Sequence, residues 1–159
     1  MASYHFHLTQ VKRSRGQSVI AQAAYRAGEK LYSTYYGESS DFTRKRGVVM
    51  AEICLPDHAP REYADRETLW NALEWAESGR KAQLAHSFDI TLMNEFSMEE
   101  NIEMVRAFVQ EELVSRGMIA DFAIHDPVRP KGAEPNPHIH LKEDGTWGIK
   151  ERKEDSGDG

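Results

Sequence analysis

The stretch that most constrains this chain is Asn136-Pro137-His138-Ile139-His140-Leu141. On an extended strand His138 and His140 share one side, and Ile139 and Leu141 share the other. Pro137 disfavours helix at the residue before it and fixes the entry to the strand. The fold must therefore supply one dry face and one polar face. A second run, Met118 to His125, alternates in the same way, Phe122 and Ile124 against Asp121 and His125, and a Pro/Gly-rich connector joins the two. Such a hairpin can gather the imidazoles of His125, His138 and His140 around one divalent cation, with positions left open for a substrate oxygen. The same spacing suits an ordinary half-exposed strand; the third histidine favours the metal.

Similar patterns recur upstream. Residues 3–11 alternate Tyr4, Phe6 and Leu8 with His5, His7 and Thr9. Residues 84–92 alternate Leu84, His86, Phe88, Ile90 and Leu92 with Ser87, Asp89 and Thr91, which puts His86 at the margin of a core. Residues 47–55 form a further β-type run. A helix is predicted from 17 to 30, with Val19, Ile20, Ala23, Ala24 and Ala27 as its apolar stripe and Tyr25 off the centre of that stripe. Tyr25 is therefore not required by a core, although packing on a loop would also explain it. Tyr32, Tyr35 and Tyr36 follow in a short strand and turn. A helix over 62–77 turns Leu69, Trp70, Leu73 and Ala76 inward. The helix over 97–116 opens on a capping box, Ser97 with Glu100, and stops at Gly117. The order β-α-β-β-α-β-α-β-β predicts an α+β fold: a mainly antiparallel five-stranded sheet with helices packed on one face. Residues 1–149 form one domain, and 150–159 form a flexible polar tail.

Composition narrows the function. With 159 residues the chain can bury a core, and its one cysteine, Cys54, excludes an internal disulfide and a cysteine-built zinc site. No apolar run is long enough for a membrane, and the first residues lack a signal-peptide core, so a cytoplasmic protein is expected. The net charge of −6 is unevenly spread: residues 1–50 carry eight Lys/Arg against three Asp/Glu. Lys12, Arg13 and Arg15 form one basic cluster, and Arg44, Lys45 and Arg46 another. Such clusters can follow a phosphate backbone while acidic helices face away, or they can be solvated turns.

Four stretches together resemble the relaxase domain of MobA/MobL-type plasmid mobilisation proteins, which are HUH endonucleases. They are the Tyr4-His5 strand, the loop from Arg13 to Ser18, the Ala23-Ala24-Tyr25-Arg26-Ala27-Gly28 helix and the Asn136-Pro137-His138-Ile139-His140 strand. The resemblance implies a relaxase-like fold with a ferredoxin/RRM-like core. It implies a strand-specific nickase acting on single-stranded or hairpin origin-of-transfer DNA, with accessory mobilisation proteins and a coupling protein as further partners. Tyr25 would be the nucleophile, His125, His138 and His140 the ligands of Mg2+ or Mn2+, and His5 or His7 assisting groups. Three imidazoles more usually suggest zinc, so the metal identity comes from the resemblance alone.

One departure stands out. In the family the His-x-His strand continues for several apolar residues, whereas here Leu141 runs almost directly into Lys142-Glu143-Asp144-Gly145. A strand of about four residues is expected, marginal for the centre of a sheet. The alternatives are thus a relaxase-like module that holds origin DNA without cutting it, or an unrelated hydrolase in which Tyr25 is incidental.

Overall fold

The computed structural model describes residues 6–12, 18–76, 83–126 and 138–144, with 6–12, 83–84 and 138–144 given by their backbone. In chain order the elements are β1 (Phe6–Lys12), α1 (Val19–Ala27), β2 (Lys30–Ser33), β3 (Glu38–Asp41), β4 (Val48–Cys54), α2 (Arg66–Ala76), β5 (Gln83–Thr91), α3 (Met98–Glu112), β6 (Ile119–His125) and β7 (His138–Asp144). Five of the strands form one antiparallel sheet in the order β1-β5-β7-β6-β4, so the last strand fills the centre. This is the expected α+β fold with its five-stranded sheet.

The helices are divided between the two faces of that sheet, which corrects the expectation of one face. The reason lies in β6, whose seven residues are all buried, so both of its sides need cover. On one side α1 and α2 supply Val19, Ile20, Ala23, Ala24, Leu69, Trp70 and Leu73, which cluster with Ala85 and Ile119 of the sheet. On the other, Val105, Val109 and Leu113 pack with Phe122 and Ile124, and Phe88 and Ile90 join them. The alternation of β5 and β6 is therefore real, but its polar parity also lies under helices.

On that parity Asp121 is buried with partners. Asp121 accepts from Arg66 Nε at 2.8 Å, Arg66 Nη2 at 2.9 Å and Trp70 Nε1 at 2.8 Å, and Arg66 Nη1 reaches Glu29 at 2.6 Å. Burial alone would lower the Arg66 pKa, but Asp121 and Glu29 outweigh it and leave it raised.

Three boundaries differ from the sequence pattern for local reasons. The first helix stops at Ala27, because Gly28 turns left-handed at φ 67° and Lys30 already begins β2. The 62–77 helix splits into a 3-10 turn, Arg61–Ala64, and α2; Asp65 between them is extended and its carboxylate accepts from Thr68 N at 3.1 Å. The long helix keeps its capping box but closes through a 3-10 turn, Val114–Arg116, before Gly117. Around Tyr32, Tyr35 and Tyr36 the single expected strand is a two-stranded hairpin, β2–β3, with Gly37 at φ 67° in its turn.

The strand of paired histidines spans seven residues, His138–Asp144, where about four were expected. Its backbone is paired on both sides, with β5 and with β6, which holds even charged residues in the ladder. Lys142 falls opposite both Ser87 and Asp121, a cross-strand position that suits a cation. Among the described residues no helix is long and apolar enough to cross a membrane.

Candidate active site

Register decides which histidines can meet. Residues directly opposite in an antiparallel ladder lie on the same face, with Cα atoms about 4.5–5.5 Å apart. His125 pairs with His138, and His140 pairs with both Ala123 and Asp89. Thus His125, His138 and His140 occupy one face, and Asp89 sits beside His140. His7 of β1 pairs with Asp89 from the other side. The face is the one covered by α1 and α2, since Ile119 and Asp121 share its parity.

The helix α1 brings Tyr25 to this face, and it is held at both ends. At the N-terminus Ser18 Oγ accepts from Ala21 N at 3.1 Å, and Glu74 Oε1 of α2 accepts from Val19 N at 3.1 Å. A carboxylate there also suits the positive end of the helix. At the C-terminus the last carbonyls have no donor within the helix. Two of them are met from outside: His125 Nε2 donates to Arg26 O at 2.7 Å, and Lys45 Nζ donates to Tyr25 O at 2.8 Å. Because a carbonyl only accepts, Nε2 carries the hydrogen, and in the neutral ring Nδ1 has the accepting lone pair. The inner face of α1 meets the core through Val19, Ile20, Ala23 and Ala24, while Tyr25 is 51% exposed.

An open pocket of about 530 Å³ lies beside it, lined among the described residues by Ser18, Ala21, Gln22, Tyr25, Arg26, Phe42 and Asp89. Tyr25 from the helix and Asp89 from the histidine face therefore look onto one space. Burial lowers the Arg26 pKa, and the carboxylates of Asp89 and Asp121 oppose that shift. Phe42 packs edge-on to Tyr25, with ring centres 5.3 Å apart.

The basic clusters are placed unevenly. Arg44 and Arg46 are exposed, whereas Lys45 between them is half-buried with its ammonium 3.6 Å from the centre of the Tyr25 ring. Lys12 ends β1 opposite Gln83, after a register shift. His5, Arg13 and Arg15 lie outside the described residues, as does the 150–159 tail.

The model of the MobA/MobL family matches residues 17–159. The chain belongs to the MobA/MobL family. It is 34% identical over 141 residues to a probable mobilization protein MobA of Bifidobacterium longum, covering 89% of this chain and 24% of that protein. It is 38% identical over 151 residues to a conjugal transfer protein TraA of Rhizobium radiobacter, covering 89% of this chain and 13% of that one. The chain thus spans a quarter or less of the length of these curated relatives. A solved structure described as the molecular basis of vancomycin resistance transfer in Staphylococcus aureus superposes with a TM-score of 0.80 at 34% identity, covering 90% of this chain and 70% of that one. The relaxase-type α+β fold is shared with it.

Sequence reasoning left Asp89, Arg26 and Gln22 out of the site. A signal for two of them exists: Ser18, Gln22, Tyr25 and Arg26 recur at helical spacing and form a polar stripe beside the apolar one. Asp89 shares the parity of Ser87 and Thr91, but only the register puts it next to His140.

Proposed function

We propose that this chain nicks one strand of origin-of-transfer DNA by tyrosine transesterification and so initiates plasmid mobilisation. The observation that carries the reading is the convergence of α1 and the histidine face. His125, His138 and His140 share a face by register, and the first of them holds the carbonyl next to Tyr25. The donor set fits a divalent cation, because His125 uses one ring nitrogen on a backbone carbonyl, the arrangement that commonly orients a metal-binding imidazole. His125, His138 and His140 would hold the ion, and Mg2+ or Mn2+ there supplies charge stabilisation at a phosphate oxygen.

The chain's own residues do the rest. The Tyr25 hydroxyl loses its proton and its oxygen bonds to phosphorus; the bond from phosphorus to the 3′ oxygen breaks, and that oxygen leaves as a hydroxyl after taking up a proton. The phosphate stays on Tyr25 as a 5′-phosphotyrosyl ester, so a later 3′ hydroxyl can reverse the step. Asp89 faces the pocket beside the histidine pair, where a carboxylate can orient an imidazole. Arg44 and Arg46 are exposed and suit the DNA backbone, with Lys12, Arg13 and Arg15 as the second basic cluster. His7 lies opposite Asp89 on the histidine face, a position from which an imidazole accepts the phenolic proton, and His5 is the second candidate for that role. A module that only binds DNA loses its main support, since the final strand reaches seven residues.

The test uses a pool of single-stranded oligonucleotides of randomised sequence with Mn2+. A denaturing gel should show a covalent protein–DNA adduct with the parent and none with Tyr25→Phe. A parent that binds strands without forming an adduct leaves the binding module; an undiminished adduct in Tyr25→Phe moves the nucleophile elsewhere.

A further inference from the structure

Between two exposed arginines, Lys45 turns inward and makes two contacts to one residue. Its ammonium donates to the Tyr25 carbonyl at 2.8 Å and stands 3.6 Å from the centre of the Tyr25 ring. The carbonyl is one of the last-turn groups of α1, whose own would-be donor is used elsewhere, since Glu29 N donates to Ala24 O. A cation at that end also suits the helix dipole. Phe42 packs perpendicular to the same ring, and Lys45 N donates to Phe42 O at 3.0 Å, so the loop that carries the lysine also carries this wall.

We infer that Lys45 is a positioning residue for Tyr25, holding its ring and main chain toward the pocket, and that it does not serve as a DNA contact alongside Arg44 and Arg46. This rests on the reading of Tyr25 as the nucleophile. An exposed tyrosine on the last turn of a helix would otherwise sample several rotamers, and each ordering of the attacking group in advance lowers the barrier. A cation over the ring face also attracts the ring more strongly as negative charge spreads into it on loss of the phenolic proton. Burial and the charge of Arg26 lower the pKa of this ammonium, as expected for a lysine drawn off the surface. The three basic residues thus divide their work: the outer two face the strand, and the inner one faces the tyrosine.

The test is single-turnover adduct formation, measured over a range of concentrations of an oligonucleotide recovered from adducts of the randomised pool. Lys45→Met should lower the rate at saturating strand about tenfold, with the strand's Kd little changed and the melting temperature as in the parent. Lys45→Arg should recover much of the rate, because the cation is retained. Arg44→Met and Arg46→Met should weaken strand binding instead. If Lys45→Met weakens binding while keeping the parental saturating rate, Lys45 is a DNA contact and the inference is overturned. A Lys45→Arg no faster than Lys45→Met also overturns it. A parent that forms no adduct removes the reading of Tyr25 itself, and this inference with it; a reacting parent matched by all Lys45 variants removes only the inference.

Discussion

At the scale of single residues, three positions carry more of the structure than their composition suggests. Gly28 ends α1 at φ 67°, and a Cβ there would meet Val48 Cγ2 at 3.2 Å. Gly28→Ala therefore adds backbone strain and a tight contact, and should cost about 1–2 kcal/mol in denaturant unfolding. It should also loosen the turn that presents Tyr25. Asp121 is the acceptor for two nitrogens of Arg66 and for the Trp70 indole. Asp121→Ala leaves a buried guanidinium with only the part-exposed Glu29, so a loss of about 3–5 kcal/mol is expected. Cys54 is half-buried beside Glu52, and burial followed by that carboxylate pushes its thiol up to about 11. At neutral pH it should resist iodoacetamide until the protein is denatured; rapid labelling of the native chain would contradict this placement.

At the scale of elements, the helix that presents the tyrosine is a short one made dependable from outside. Nine residues form a marginal helix alone, and Glu74, His125 and Lys45 each satisfy a terminal group of it. By contrast α3 is capped by its own residues, with Ser97 accepting from Glu100 N at 3.1 Å and Glu100 accepting from Ser97 N at 3.2 Å. Ser97→Ala should cost about 1 kcal/mol, read as a lower denaturant midpoint at unchanged slope. That cap is legible in the sequence because all its partners lie within four residues. The alternation of β1, β5 and β6 is legible for the same reason, since parity is a local property. The length of β7 is not, because Lys142-Glu143-Asp144 has no apolar residue to mark a strand. Only its two neighbours, and the fall of Lys142 opposite Asp121, make those residues part of the ladder. Likewise Tyr25 can be seen to lie off the apolar stripe, but nothing local reveals that Asp89, more than sixty positions later, shares its pocket.

At the scale of the molecule, a sheet covered on both faces leaves its polar rows nowhere to go except into pairs or a site. Asp121 with Arg66 is the pair; Asp89, opposite His140 in the register, lines the pocket along α1. A cation bound there only in the folded state should raise stability by about 2.7 kcal/mol at a hundredfold excess over Kd, or about 5–10 °C in Tm for a domain of this size. Addition of EDTA should reverse the rise, and His138→Ala should abolish it. The central claim is that Tyr25 and the three histidines form one site, and Mn2+ tests it without DNA through paramagnetic broadening of tyrosine ring signals in NMR. Substoichiometric Mn2+ should broaden the Tyr25 ring signals first, before those of Tyr35 and Tyr36 on the hairpin, and His138→Ala should remove the effect. Sharp Tyr25 signals alongside a broadened Tyr35 or Tyr36, or broadening that persists in His138→Ala, would contradict it.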